Sequence, residues 1–329
     1  MNKLSLLAAG PGPVARRRQI REKMIEWAIT AVGLTGIFAV ILILVFIAKE
    51  ALPLLIDVKD RTEASFGRMF WPQVTRAGHP AVFMWQPISR VPKISMIPLL
   101  VGTLKVTFIS MSIAIPFGIS SALFAAEFAP RRLREWLKPT IELLAGIPSV
   151  VLGFFALMVL ASFVQRVFGF TYRLNGMVAG LGLSIAVIPV IFTVTEDALS
   201  AVPKSYREAS LALGATRWET AWKVVLPAAL PGVLAACVLG MGRSIGETMI
   251  VLMASGNAAV TSWSLGDSIR SLSATIAAEM GEVVVGSPHY SVLFFIGVEL
   301  FLITFFLNLV ARFWVLRVMK KIGGTGGNK

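Results

Sequence analysis

The chain has 329 residues, of which 56% are hydrophobic and only 15% charged; a water-soluble protein of this length needs far more polar surface, so the first reading is an integral membrane protein. A net charge of +13 would suit nucleic acid, but the basic residues gather at the flanks of apolar runs and no basic–aromatic stripe accompanies them, which argues against a nucleic-acid partner. The single cysteine, Cys237, leaves no intramolecular disulfide and no multi-cysteine metal site.

In chain order, a polar tail (1–26) with Arg16, Arg17 and Arg18 precedes an apolar run at 27–47. That run exceeds the roughly 7–15 residues of a signal-peptide core, and no A-x-A site follows it, so it reads as a retained spanning helix. A helix needs about 20 apolar residues to cross a bilayer. Six segments qualify: 27–47, 97–126, 140–165, 174–198, 227–253 and 290–313. Two of them carry proline or glycine signals for an internal break, AGIPSVVLG (145–153) and AVIPV (186–190). With the N-terminus inside, the inner segments hold 19 Lys and Arg against 10 in the outer ones, which predicts cytoplasmic termini. No Gly/Ser-rich linker divides the chain. The organisation expected is an all-α polytopic protein: tail 1–26, first helix and long outer loop 27–96, a membrane core 97–313 and a second tail 314–329.

Charges inside the spans carry the sharper expectations. Arg243 and Glu247 in GRSIGETM stand four residues apart in the fifth span, where an arginine costs roughly 2.5–3.5 kcal/mol on insertion scales. On a continuous helix they share a face and can pair. A guanidinium has more donors than one carboxylate uses, so Arg243 can also engage an oxyanion, with Glu247 as its resting partner. A pair that only fixes helix packing is the alternative. Ser244 and Thr248 are expected to bond their own backbone. Ser149, at the Pro148 break, can donate to an anion if that break lines a cavity; a plain packing kink is the alternative. Glu142 is expected to cap a helix or pair with Arg134 or Lys138, Glu196 and Asp197 to brace the following loop, and Lys105 to snorkel outward. His79 and His289 have no ligands at metal spacing, so no metal is expected.

The loop 202–232 is too long for a minimal connector. Ser205–Leu213 suits a short amphipathic helix with Tyr206, Ala209, Leu211 and Leu213 among charges. Gly214 allows a sharp turn, and Thr216 can cap a second helix at Arg217 with Glu219 near its positive end. Glu208-Ala209-Ser210, then Gly214, Val224 and Leu226-Pro227 at fixed offsets resemble the EAA loop of ABC importer permeases, with serine at the third position and valine for the usual isoleucine. The resemblance implies a type I, MetI-like permease fold whose knob docks in a cleft of an ATPase, with Arg207, Glu208 and Arg217 as rim charges. The chain itself has no phosphate-cradling G-x-x-x-x-G-K-[ST] loop; GGTGGNK fails at Asn328. No cofactor is expected here, and ATP with magnesium falls to the partner subunit.

Further stretches resemble the permeases of the Pst-type importer of inorganic phosphate: GTLKVTF (102–108), AAEFAPRRLREWLKPTIELLAGIPSVVLGFF (125–155), EDALSAVP (196–203), GRSIGETMIVLMASGN (242–257), IAAEMGEVVVGSPHYSVLFFIG (276–297) and LITFFLNLVAR (302–312). Met249, Val251, Gly256-Asn257 and the AAEMGE loop are closer to the PstC member than to the PstA member. The resemblance implies a non-enzymatic subunit of the bacterial inner membrane, partnered by a PstA-like permease, two ATPases and an external phosphate-binding protein. A permease for another oxyanion or an amino acid, and a stand-alone secondary transporter or channel, are the rival readings.

Overall fold

The computed structural model describes residues 13–56, 65–74, 81–89 and 91–323. It comprises two units, Met1–Glu50 and Ala51–Lys329. The described residues of the first all lie in one helix, α1 (Pro13–Ala51), whose 39 residues extend about 58 Å at 1.5 Å each, longer than a hydrocarbon core of about 30 Å. The apolar run 27–47 lies within it, and Ile29, Phe38 and Ile43 are exposed. His79 lies outside the described residues.

The second unit begins with short pieces: α2 (Pro53–Ile56), α3 (Phe66–Phe70), the antiparallel pair β1 (Gln73–Val74) with β2 (Ala81–Val82), and the pair β3 (Trp85–Gln86) with β4 (Lys93–Ile94). Leu54, Met69, Trp85, Ile94 and Met96 bury against Leu272 and Leu293, so this segment has a core of its own. Long helices follow. α4 (Ile97–Leu123) ends in a π-helical turn, Phe124–Phe128. α5 (Arg131–Ala145) precedes a rod made of α6 (Ser149–Phe155), a π turn (Ala156–Leu160) and α7 (Ala161–Phe168). α8 (Gly176–Ser200) is the most buried of the spans. The knob holds α9 (Lys204–Ala212), α10 (Arg217–Thr220), a π turn (Ala221–Val225) and α11 (Leu226–Ala228). α12 (Leu230–Gly246), α13 (Met249–Ala254), α14 (Leu272–Glu279) and α15 (Pro288–Gly323) complete the chain.

α4 and α8 form the centre. Val106, Met111 and Ala114 of α4 pack with Leu183, Val187 and Ile191 of α8. Gly180 permits the approach, since a Cβ there would lie 2.5 Å from Ile109 Cγ2. Among the described residues five helices are long and apolar enough to cross a bilayer, and a sixth is obtained when Arg217–Ala228 and Leu230–Gly246, bent by 71°, count as one span.

Four expectations change. The third span starts at Ser149 rather than 140, because Gly146 and Pro148 separate it from α5, a helix with no buried residue. The fourth span does not break at AVIPV: Pro189 sits inside continuous α8, where Val187 and Ile191 are fully buried and packing holds the helix across the missing donor. The fifth span is interrupted at Glu247–Thr248. Lys105 does not snorkel either; its ammonium donates to the Ser264 carbonyl at 2.8 Å and ties α4 to the segment between α13 and α14.

Candidate translocation and coupling sites

The knob's turn forms as its residues dictate. Gly214 adopts φ +87°, a conformation that other residues reach only under strain. Thr216 and Glu219 make a reciprocal capping box: the Glu219 amide donates to Thr216 Oγ1 at 3.2 Å, and the Thr216 amide donates to Glu219 Oε2 at 3.0 Å. Ser210, which departs from the family's alanine, is buried and bonds Thr220 Oγ1 at 2.9 Å, joining α9 to α10. Tyr206, Leu211 and Leu213 face outward, Leu213 at 90% exposure, beside exposed Glu208, Ala209 and Arg217. Leu226 is half-buried and Pro227 exposed where α11 begins. The amphipathic helix thus buries its serine and leaves its apolar side chains uncovered.

Arg207 departs from expectation. It is not a free rim charge: its guanidinium is turned onto Glu127 in the π turn of α4, with Nη2 to Oε1 at 2.7 Å. It also donates to the carbonyls of Leu199 at 2.9 Å and Val202 at 2.6 Å. A second brace lies nearby. Glu196, only 2% exposed, accepts from Arg134 at 2.5 Å and from Lys138 at 2.8 Å, and Lys138 also reaches Asp197 at 2.6 Å. Hydrogen bonds to Asp197 and Glu196 hold the Lys138 ammonium above its ordinary pKa. Glu196 and Asp197 therefore brace α5 rather than the loop that follows them. Glu142 is exposed and takes neither expected partner, because both cations are engaged at Glu196.

In GRSIGETM the helix stops one residue too early for the predicted pair. α12 ends at Gly246, and Glu247 is extended (φ −68°, ψ 127°), its carbonyl fixed by Ser273 Oγ at 2.9 Å. The one-turn alignment that would join Arg243 to Glu247 is lost, and among the described residues neither side chain has an ion pair. Arg243 is exposed in the last turn of α12, where the negative end of the helix dipole favours a cation. Ser244 differs from expectation as well: its hydroxyl is buried with no partner among the described residues, whereas Thr248 Oγ1 donates to the Gly246 carbonyl at 3.3 Å. The helix that follows the first break lies on the helix that follows the second. A Cβ on Gly153 of α6 would come within 3.1 Å of the Met249 carbonyl of α13 and 3.3 Å of Ile250 Cα. Ser149, half-buried, opens α6 one turn earlier, and no hydrogen bond joins it to Arg243 or Glu247 among the described residues.

A third group of charges escaped the sequence reading. Glu279 at the end of α14 accepts from Arg270 at 2.5 Å, from Trp85 Nε1 at 3.0 Å and meets His289 Nε2 at 2.8 Å. Burial alone would raise its pKa, but the bonds from His289 and Trp85 and the charge of Arg270 hold it below the ordinary value. Among the described residues no group of His, Cys, Asp or Glu is arranged to hold a metal ion. The only advance signal for Glu279, as for Glu127, was a lone carboxylate closing an apolar run, in AAEMGE and AAEFAP.

Residues 114–323 match the family of binding-protein-dependent transport system inner membrane components. The chain belongs to that family. The permease is 35% identical over 258 residues to the phosphate transport system permease protein PstC of Mesorhizobium japonicum, with 73% of this chain and 78% of that protein covered. It is 40% identical over 230 residues to the probable ABC transporter permease protein YqgH of Bacillus subtilis, covering 70% and 74%. Its fold is similar to the inward-facing MetNI methionine ABC transporter, with TM-score 0.54, 21% identity and 68% and 97% coverage. It is similar too to a bacterial alginate ABC transporter, at TM-score 0.58, 15% identity and 91% and 98% coverage. The all-α MetI-like permease fold expected from the sequence is the observed one.

Proposed function

We propose that the chain is the PstC-like permease subunit of an ATP-driven importer of inorganic phosphate and forms half of its translocation pathway. The observation that carries the reading is Arg243, an exposed cation with no ion pair among the described residues, at the broken end of a core helix in a chain of this family. Phosphate bears one or two negative charges near neutral pH, and a fixed cation lowers its barrier in a low-dielectric passage. Ser149 at the neighbouring break supplies a neutral donor, and Glu247, free of Arg243, leaves the guanidinium open to an anion. Relatives that carry the PstC name support phosphate as the anion.

In this reading the knob, through Glu208, Ala209, Gly214, Arg217, Leu226 and Pro227, meets an ATPase subunit that binds ATP and magnesium. The full assembly adds a PstA-like permease, a second ATPase and an external phosphate-binding protein, with both termini of this chain in the cytoplasm. The exposed apolar face of Tyr206, Leu211 and Leu213 supports such a docking role. Uptake of labelled phosphate by cells carrying Arg243→Gln tests the substrate role. Uptake is expected to fall at least about tenfold, the scale of one charged hydrogen bond, while the ATPase still co-purifies. Undiminished uptake overturns the role of Arg243, and absence of any co-purifying ATPase overturns the importer reading.

A further inference from the structure

We propose that Arg207 and Glu127 form the strut that carries motion of the knob into the membrane helices, an inference that rests on the ATP-driven reading above. Arg207 projects from α9, and all three of its guanidinium nitrogens are engaged. Nε bonds both Glu127 carboxylate oxygens at 3.1 Å, Nη2 bonds Glu127 Oε1 at 2.7 Å and the Leu199 carbonyl at 2.9 Å, and Nη1 bonds the Val202 carbonyl at 2.6 Å. One side chain thereby grips three places: the knob, the last turn of α8, and the π turn that ends α4. The pair is largely shielded, at 21% and 11% exposure, so solvent screens it less than it would a surface pair.

The surroundings suit a strut. The knob is internally stiff, because the Ser210–Thr220 bond and the Thr216–Glu219 capping box tie its two helices together. Besides the covalent turn Ala201–Pro203, which can bend, and the apolar packing of Ala221 and Val225 against Leu123 and Phe192, Arg207 adds a directional, charged tie between α9 and the core. With Arg207 a displacement of α9 reaches α4 and α8 together, and these are the two helices that form the centre of the bundle. Glu127 sits in a π turn, closed by the Ala129 amide on the Phe124 carbonyl at 2.9 Å. Such turns hold one residue more than an α turn and recur at functional sites, where their register can shift. Phe128, the next residue, meets Trp218 of the knob at 5.8 Å between ring centroids, a second contact along the same line. Arg207 and Glu127 are thus positioning residues, with no contact to phosphate required of them.

The test uses the whole transporter in proteoliposomes supplied with phosphate-loaded binding protein and Mg-ATP, and reads phosphate moved per ATP hydrolysed. For Glu127→Gln, which keeps shape but not charge, that ratio is expected to fall about tenfold, as the loss of a charge-assisted bond implies. ATP hydrolysis should stay within about twofold of wild type and the ATPase should remain bound, since the outward face of the knob is untouched. Arg207→Lys should recover part of the ratio that Arg207→Ala loses, because an ammonium keeps the charge but not the fork. An unchanged ratio in both Glu127→Gln and Arg207→Ala overturns the strut. Loss of the ATPase or of folded protein in Glu127→Gln and Arg207→Lys, with the ratio intact in what survives, also overturns it and leaves the pair a purely structural one. Failure of the wild-type complex to move phosphate with ATP would instead overturn the importer reading, before any variant is compared.

Discussion

The two ends of the segment between α8 and α13 treat charge in opposite ways. Around the knob every buried ion has a partner: Glu196 takes Arg134 and Lys138, and Glu127 takes Arg207. At GRSIGETM the helix ends before a pair can form, and Arg243 and Glu247 remain without one among the described residues. Pairing confers a fixed shape, because breaking one partner away leaves an uncompensated charge. Leaving a cation free at membrane depth is costly and is tolerated where the charge meets something other than its own chain. On this difference rest the two proposals above, a strut that transmits force and a cation that meets the transported ion.

The largest structural effect that would sharpen this contrast is expected at Glu196. Glu196→Ala leaves Arg134 and Lys138 without their shared carboxylate. Removal of one partner from a buried pair costs about 3–5 kcal/mol, but both cations here are over a third exposed, which reduces the expectation to about 2 kcal/mol. Thermal unfolding in detergent should show it. A variant as stable as wild type would mean that the knob end is not held by its ion pairs.

Next comes Glu279, the paired carboxylate of the 272–289 region. Its pKa is held below the ordinary value, so its contribution to stability is fully present above the usual glutamate range, near pH 4.3, and is lost as pH falls through the lowered value. Glu279→Gln removes that dependence. The difference in melting temperature between wild type and Glu279→Gln should therefore be wide at neutral pH and shrink in acid. A difference that stays constant with pH would refute the pairing as its source. Smaller again is Thr216→Ala, which removes the N-cap of α10 at a cost of about 1 kcal/mol. Amide exchange should quicken in α10 and leave α12 unchanged.

What the sequence revealed and what it hid follow the same division. Local chemistry was legible: Gly214 needs no neighbour to choose a left-handed turn, and Thr216 and Glu219 make their capping box within four residues. The break at Pro148 was legible for the same reason. The break at Glu247 was not, because GRSIGETM has no proline; its extended residue is fixed by Ser273, 26 positions later. Pro189 misled in the other direction, since the packing that keeps α8 continuous comes from distant helices. Arg207 looked like a surface charge because Glu127, 80 residues away, cannot be matched to it by spacing. Long-range pairing of ions is a property of the fold, and one sequence carries no register for it.

The smallest expected effect is the one that could break the comparison outright. If Arg243 and Glu247 are energetically independent, a double-mutant cycle on stability with Arg243→Gln and Glu247→Gln should add to within about 0.5 kcal/mol, the scatter seen for residues that share no contact. The same cycle on Arg207→Lys and Glu127→Gln should depart from additivity by more, since one bidentate pair links both sites. Addition of phosphate then adds a third axis. An anion that meets Arg243 raises the stability of wild type in proportion to RT ln(1 + [L]/Kd) and leaves Arg243→Gln unmoved. Strong coupling between Arg243 and Glu247 without phosphate would show that the chain does pair its own membrane charges. The free cation, and with it the distinction between strut and ion site, would then have no basis.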